Sequence, residues 1–197
     1  MADEEKSGDV GETQLERLIA GKVTWEEAKE LLHVWPKEPD RFQKVLAILQ
    51  KKVPWKDKIL MRISDHVFIV RTDDGRRVSK CECGHEFGDY RINWKFGCNI
   101  YVRKTDSDFA KVYRGWQGQP DPDVIEVREF YCPQCAAQLA TENLPPGYPV
   151  LFEMMPDLDT FYREWLGAPL SDENQSWYQD KTWELTAEWA KKANTKR

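Results

Sequence analysis

Four cysteines form two close pairs whose types and spacing suit a zinc ion. Cys81 and Cys83 lie in the run Cys-Glu-Cys-Gly-His, and Cys132 and Cys135 lie in Cys-Pro-Gln-Cys. Two thiolates of one pair can converge on an ion, and the 48 residues between the pairs allow the metal to close a long loop. Gly84, just after the first pair, can adopt a positive φ that turns backbone N–H groups towards sulfur. These residues predict a structural zinc site.

The predicted site has a closed ligand shell, because four thiolates occupy all four tetrahedral positions and leave none for a hydrolytic water. Two alternatives stay open at this point. One pair could be merely buried or form a redox dithiol, although a redox Cys-x-x-Cys is expected at a helix N-terminus and Cys132 follows a predicted strand. His85 could replace one cysteine as a ligand, but four cysteines suffice and hydrogen bonding is the expected role of this histidine. Cys98 has no partner and is expected to be a buried free thiol.

A predicted β-strand comes directly before each cysteine pair. Residues 67–71 alternate as a strand, Asp73-Asp74-Gly75 predicts a turn, and residues 77–80 form the return strand that leads into the first pair. Residues 124–131 alternate in the same way and end at the second pair. Another strand is predicted at residues 99–104. A strand before each cysteine pair is typical of zinc ribbons.

Helical segments are predicted on both sides of these strands. Capping boxes at Thr13 and Thr24 indicate two short helices, and Asp40 is predicted to cap a third. Apolar residues at helical spacing predict further helices. These lie at residues 108–113, 157–166 and 180–193, with a polar linker over residues 170–179.

Composition favours a soluble globular protein, with 41% hydrophobic and 32% charged residues among 197. No apolar run approaches the roughly 20 residues that a membrane-spanning helix needs. The acidic start of the chain lacks the apolar stretch of a signal peptide, so a cytoplasmic protein with reduced thiols is expected, with no membrane partner. The net charge of −5 is unfavourable for binding nucleic acid, so none is expected as a partner.

The predicted fold class is α+β, with a central antiparallel β zinc-ribbon-like domain, N-terminal helices and a C-terminal helical extension. The predicted boundaries are a disordered acidic leader at residues 1–12, a helical segment at 13–53, the core domain at 54–169, and a linker and helix at 170–197. Nine tryptophans are spread along the chain. Many are expected in the core, and several are expected against another subunit, because tryptophan is enriched at interfaces.

No catalytic motif stands out in the sequence. The chain has three histidines, and it lacks a Gly-rich phosphate loop, a His-Glu-x-x-His pattern and a nucleophile elbow. From the residues alone, the protein is therefore expected to be a non-catalytic component of a larger assembly, with a structural zinc site that joins distant parts of its chain.

Several of these stretches also resemble a known family, the gamma (small) subunit of acetone carboxylase and related ATP-dependent ketone carboxylases. They occur in the same order as in that family, between about residues 40 and 169. The stretches are Pro-Trp-Lys-Asp-Lys-Ile at 54–59, Cys-Glu-Cys-Gly-His-Glu-Phe at 81–87, Asn-Trp-Lys at 93–95, Arg-Glu-Phe-Tyr-Cys-Pro-Gln-Cys at 128–135, Tyr-Pro-Val at 148–150, Pro-Asp at 156–157 and Phe-Tyr-Arg-Glu-Trp-Leu-Gly at 161–167.

The resemblance implies a subunit of a hetero-oligomeric ligase that forms carbon–carbon bonds. Two large subunits, alpha and beta, related to hydantoinase/oxoprolinase enzymes, would hold ATP and the catalytic metal. The complex would carboxylate a ketone with bicarbonate, giving acetoacetate from acetone with AMP and phosphate as co-products. The family's small subunit carries a structural Zn²⁺, whose ligands map onto Cys81, Cys83, Cys132 and Cys135. The substrate stays open between acetone, a larger alkanone and an aromatic ketone.

Two other functions compete with this interpretation. A stand-alone zinc-ribbon module for nucleic-acid binding or regulation would need a basic face. The nearest candidate contains Arg71, Arg76, Arg77 and Lys80, but two aspartates interrupt it. Alternatively, the isolated chain could be an enzyme with an incomplete zinc shell, in which His85 is a ligand and water fills the open position.

Overall fold

The structure is a computed structural model that describes residues 11–33, 37–114, 118–174 and 178–195. The chain divides into two units, Met1–Lys56 and Asp57–Arg197. The predictions for residues 1–10 of the acidic leader and for Trp35, Trp116 and Trp177 fall outside the described residues. The domain boundaries inferred from the sequence stay predictions. Within the described part of the chain, no helix has the length and apolar character needed to span a membrane.

The first unit is built from three helices that bury a small apolar core. Leu15, Leu31 and Ile48 come from different helices and are each at most 6% exposed. Their burial follows from the helical spacing of apolar residues on one face of each amphipathic helix. The helices are α1 (Glu12–Ile19), α2 (Trp25–His33) and α3 (Arg41–Lys52).

One of the three predicted helix caps is confirmed. The Glu27 N–H donates to Thr24 Oγ1 at 3.2 Å, and the Glu27 carboxylate accepts from the Thr24 N–H at 2.7 Å. This reciprocal pair satisfies two backbone donors at the start of α2. The Glu27 carboxylate also accepts two hydrogen bonds from Arg17, so the cap ties α1 to α2.

The other two predicted caps are wrong. Helix α1 begins at Glu12 with Gly11 as its N-cap, so Thr13 lies inside the helix. Asp40 occupies the N-cap position of α3 but makes no capping bond with its side chain. Its ψ of 4° departs from the extended backbone that aims a cap side chain at the first turn. The Asp40 carboxylate instead lies 3.2 Å from Lys44 Nζ.

The second unit contains two antiparallel sheets, which confirms the predicted α+β class. Each sheet has its strands in chain order, and neighbouring strands are antiparallel. The connection between the first two strands of the second sheet is long and contains a short helix. The first sheet comprises β1 (Lys58–Arg62), β2 (Val67–Arg71), β3 (Arg77–Cys81) and β4 (Glu86–Asp89), and the second comprises β5 (Asn99–Arg103), β6 (Glu126–Tyr131) and β7 (Gln138–Leu144).

Strands β2, β3, β5 and β6 match the sequence predictions, and the predicted turn around Gly75, whose φ is 82°, joins β2 to β3. Three strands were missed, for different reasons. The three central residues of β1 are all buried, so it lacks alternation. Strand β4 has four residues and includes Gly88 at a φ of 99°. Strand β7 lacks a clear apolar pattern because one of its buried residues, Glu142, is charged.

The helices of this unit differ from their predicted form. Helix α4 (Asp106–Ala110) begins two residues before the predicted segment, because Thr105 Oγ1 caps it by accepting from the Asp108 N–H. The final helix α6 (Thr182–Thr195) lies close to its predicted position.

The segment predicted as one helix at 157–166 is a short α5 (Leu158–Thr160) followed by a π-helical turn, Phe161–Trp165. The Leu166 N–H donates to the Phe161 carbonyl, five residues back, as a π-turn requires. This wider turn changes which side chains face inward. Tyr162 is buried and its hydroxyl donates to the Leu60 carbonyl at 2.8 Å, whereas Trp165 is 79% exposed.

A buried arginine fastens the first sheet to later parts of the chain. The Arg77 side chain on β3 is fully buried and pairs with Asp159 at 2.7 Å and Asp172 at 3.1 Å. Asp172 also accepts from Arg71. Burial raises the pKa of the Asp172 carboxyl, but the hydrogen bonds from Arg77 and Arg71 and the charge of Arg77 together outweigh burial and lower this pKa. Residues 170–174, predicted as linker, therefore take part in an internal ion-pair network.

Replacing Asp159 with asparagine should cost about 3 kcal/mol of unfolding free energy, because it leaves a buried guanidinium with one of its two carboxylates. Urea denaturation of the metal-loaded protein measures this loss. Glu164→Gln is the matched control: its carboxylate pairs with Arg163 at the surface, so the cost should stay below about 1 kcal/mol. Equal effects of the two substitutions would contradict a stabilising role for the buried pair.

Candidate metal centre

The four predicted ligand cysteines meet at one point in the structure. Their sulfur atoms all lie within 4.8 Å of one another, with 3.9 Å between Cys81 and Cys135 and 3.7 Å between Cys83 and Cys132. Both close distances join the two sequence pairs. The site therefore brings together distant segments of the chain.

The geometry fits a tetrahedral thiolate site and excludes disulfides. Zn–S bonds of about 2.3 Å place the sulfurs of a regular tetrahedron roughly 3.8 Å apart, close to the two short distances. A disulfide needs a separation of about 2.05 Å, and all four cysteines are free. Among the described residues, the ligand-type cluster contains four cysteines and no histidine or carboxylate.

A tight turn presents the first pair of sulfurs at the end of β3. The Cys81 N–H donates to the His85 carbonyl and the Gly84 N–H donates to the Cys81 carbonyl, each at 2.8 Å. Gly84 has a φ of 105°, as its position in the sequence predicted. The turn folds the backbone around Cys81 and Cys83 so that both thiols point to one side.

The second pair lies in a similar turn after β6. The Cys132 N–H donates to the Ala137 carbonyl and the Ala136 N–H donates to the Cys132 carbonyl, each at 2.9 Å. Ala136 has a φ of 59°, in the left-handed region that glycine normally occupies. Sequence reasoning missed this residue. Comparison of the two turns could have found it, since Ala136 follows the second pair as Gly84 follows the first.

The thiols of the cluster differ in acidity. Burial raises the pKa of both Cys81 and Cys83. Burial acts in the same direction on Cys132, but hydrogen bonds from the N–H groups of Cys135 and Gln134, together with those from the Cys135 and Cys81 thiols, outweigh burial and lower the pKa of this thiol. Several buried thiolates in one place require a cation to balance their charge, so metal binding would displace protons from the cluster.

An apolar cluster surrounds the sulfurs on the protein side. Val67, Trp94 and Leu139 pack with Cys81 and Cys132 and are at most 7% exposed. Cys135 is exposed at the opposite side. The site therefore lies at the edge of a core that both sheets share. An apolar surround restricts solvent access to a bound metal.

His85, a possible alternative ligand, and Cys98, the unpaired cysteine, lie beside the cluster. The His85 ring packs edge-on against Phe87, with ring centroids 5.0 Å apart. Cys98 is partly buried, and its thiol lies 3.8 Å from the Trp94 carbonyl. Burial raises the pKa of the Cys98 thiol to about 12, so it is protonated near neutral pH.

Replacing Ala136 with glycine should stabilise the metal-loaded protein by roughly 0.5 kcal/mol, because relief of left-handed strain exceeds the added entropy of the unfolded chain. The neighbouring substitution Ala137→Gly should have the opposite sign, since Ala137 is not left-handed and its methyl packs against the core. Thermal unfolding at fixed zinc concentration compares the two. A loss of stability with Ala136→Gly would contradict the proposed strain.

The part of the chain that holds the four cysteines also matches known proteins in sequence. The family model for the acetone carboxylase gamma subunit matches residues 53–166, which include all four cysteines. The acetone carboxylase gamma subunit of Xanthobacter autotrophicus is 35% identical over 156 residues, covering 79% of this chain and 92% of that protein. The acetophenone carboxylase beta subunit of Aromatoleum aromaticum is 34% identical over 80 residues, covering 40% of this chain and 62% of that protein. The chain belongs to the acetone carboxylase gamma subunit family.

Proposed function

We propose that this chain is the zinc-binding small subunit of an ATP-dependent complex that carboxylates a ketone with bicarbonate. The observation that carries the proposal is the convergence of four thiols within the segment that matches the family. The role of the chain is structural: it holds a metal-stabilised scaffold in the complex and performs no reaction alone.

Zinc is the metal that this donor set suits best. Thiolates are soft ligands that select zinc over magnesium and calcium, which require oxygen ligands. The proposed ligands are Cys81, Cys83, Cys132 and Cys135. Bound zinc would link the turn after β3 to the turn after β6. Because the protein supplies all four ligands, the ion would have no open position for substrate.

The proposed reaction follows from the relatives. One is named for acetone carboxylation and the other for acetophenone carboxylation, so the shared chemistry is addition of a carboxyl group to a ketone. A methyl ketone and bicarbonate would give a 3-oxo acid and water, with ATP supplying the driving force. We assign ATP and the catalytic metal to two large subunits of the hydantoinase/oxoprolinase type. Those subunits would determine whether the substrate is acetone, a larger alkanone or an aromatic ketone.

Exposed aromatic side chains support assembly with large partners. Among the six described tryptophans, Trp94 is buried and Trp55 is half-buried. The other four expose between 43% and 79% of their surface: Trp25, Trp165, Trp183 and Trp189. The prediction that many tryptophans fill the core is therefore wrong for the described residues. Such exposed rings are typical anchors of protein interfaces.

The competing nucleic-acid function lacks a free basic face in its candidate segment. Arg77 pairs with the buried Asp159 and the partly buried Asp172, and Arg71 shares Asp172. Lys80 pairs with Asp57, and Arg76 pairs with Asp74. All four cations have carboxylate partners within the chain, so few positive charges are left to contact phosphates.

Co-expression with the two large subunits tests the proposal. The tagged chain should purify with both large polypeptides, and the complex should incorporate labelled bicarbonate into a ketone only when ATP is present. Cys132→Ser should lose most of the zinc and abolish co-purification, because metal binding is coupled to folding. His85→Ala is the control and should retain the metal and both partners.

Two results would overturn the proposal. One is a stable monomer that purifies without large partners under the same conditions. The other is a Cys132→Ser protein that assembles with normal zinc content and thermal stability, which would show that the ligand assignment is wrong.

A further inference from the structure

Residues 148–154 of the second unit form neither a helix nor a strand, and we call this segment the strap. Core side chains bond its backbone instead. Asn93 Nδ2 donates to the Leu151 carbonyl at 3.0 Å, and Glu142 Oε1 accepts from the Leu151 N–H at 3.2 Å. Arg128 donates to the carbonyl of the first strap residue. These bonds fix the middle of the strap while leaving its later residues at the surface.

The strap forms one wall of a cavity of about 380 Å³. Trp94, Leu139, Leu151 and Phe152 contribute apolar surface to the lining. Lys95 contributes a positive charge, although its side chain is only 2% exposed. The rest of the lining is largely polar and includes Asp65, Asn93 and Thr141. A cavity of mixed polar and apolar lining that carries one buried cation could hold a small polar molecule.

Two carboxylates of different character hold Lys95. Glu142 is 2% exposed, and its Oε1 accepts from Lys95 Nζ at 2.7 Å while also bonding the strap. Glu153 lies 3.0 Å from the same Nζ, but it belongs to the strap and is 58% exposed. Glu142 is therefore a fixed partner, whereas Glu153 is a surface group that can rotate into water at low cost.

The charges around Lys95 indicate what can replace Glu153. Without Glu153, the buried charges are two cations, Lys95 and Arg128, and two carboxylates, Glu126 and Glu142. Glu153 adds one further negative charge at the mouth. Exchange of its carboxylate for that of a ligand would leave the charge at the site unchanged and would return Glu153 to full hydration. A neutral ligand would not compensate for the lost ion pair.

We infer that this cavity binds a short-chain monocarboxylate. The ligand's carboxylate replaces that of Glu153 on Lys95 Nζ, and its tail lies against Trp94, Leu139 and Leu151. The natural ligand would be the 3-oxo acid product of carboxylation, an identification that rests on the proposed function. The fraction of small subunits with an occupied cavity would then rise with the concentration of the product.

Titration of the full ¹⁵N-labelled, zinc-loaded chain with sodium butyrate tests the inference by heteronuclear NMR. Saturable shifts should be confined to amides lining the cavity, around residues 93–95 and 151–154. Butanone at the same concentrations, and sodium chloride at matched ionic strength, should leave those amides unshifted. Saturation by butanone instead of butyrate would overturn the choice of a carboxylate.

Substitutions then identify the binding groups. Glu153→Gln removes the competing carboxylate at an exposed position and should tighten butyrate binding about fivefold, the factor expected for a partly exposed ion pair. Glu164→Gln, at another exposed position, should leave the affinity unchanged. Lys95→Met should abolish binding. Unchanged affinity in Glu153→Gln, or no saturable shift in the unsubstituted chain, would overturn the inference. Neither result bears on co-purification with the large subunits, which tests the proposed function separately.

Discussion

The second unit depends on one constraint: four thiols from two distant turns lie within 4.8 Å of one another, where a single cation could bind them all. One turn follows β3 of the first sheet and the other follows β6 of the second. Zinc binding to such sites contributes about 10–16 kcal/mol, which is comparable to the whole stability of a typical domain. The proposed metal would therefore decide whether the two turns stay together. Without it, the parts of the chain that carry the thiols would be joined by a small apolar cluster and by the hydrogen bond from Ser64 Oγ to the Leu139 carbonyl.

Buried ion pairs are the second feature on which the structure of the second unit depends. Arg77 on β3 pairs with Asp159 and Asp172. Lys95 pairs with Glu142, whose carboxylate also accepts a hydrogen bond from the strap. Desolvating such ions is costly, and apolar residues of the same size would often be equally stabilising. Their partners are directional, however. Asp172 and Leu151 both lie in backbone that forms no helix or strand, and directional bonds hold such backbone more specifically than apolar contacts do.

The sequence predicted the parts of the fold that follow from local pattern. The cysteine spacing identified the thiols that converge, alternation identified β2 and β6, and Gly84 was correctly expected to take a positive φ. These features depend on residues close in the chain.

The remainder depends on contacts that no local pattern encodes. The role of Asp172 requires Arg77, which lies far away in the sequence, so local pattern gave no sign of an ion pair in the segment predicted as a linker. The burial of Lys95 requires Glu142, and charged residues on β7 concealed that strand. The left-handed backbone at Ala136 has no glycine to mark it. Trp165 is exposed because a π-turn replaces the regular helix that its spacing predicts.

Zinc K-edge X-ray absorption on the purified complex tests the central claim most directly. Our account predicts stoichiometric zinc on this chain, with four sulfur neighbours at about 2.3 Å and no nitrogen or oxygen neighbour. A shell that contains a light-atom ligand, or a fully folded chain without metal, would contradict it.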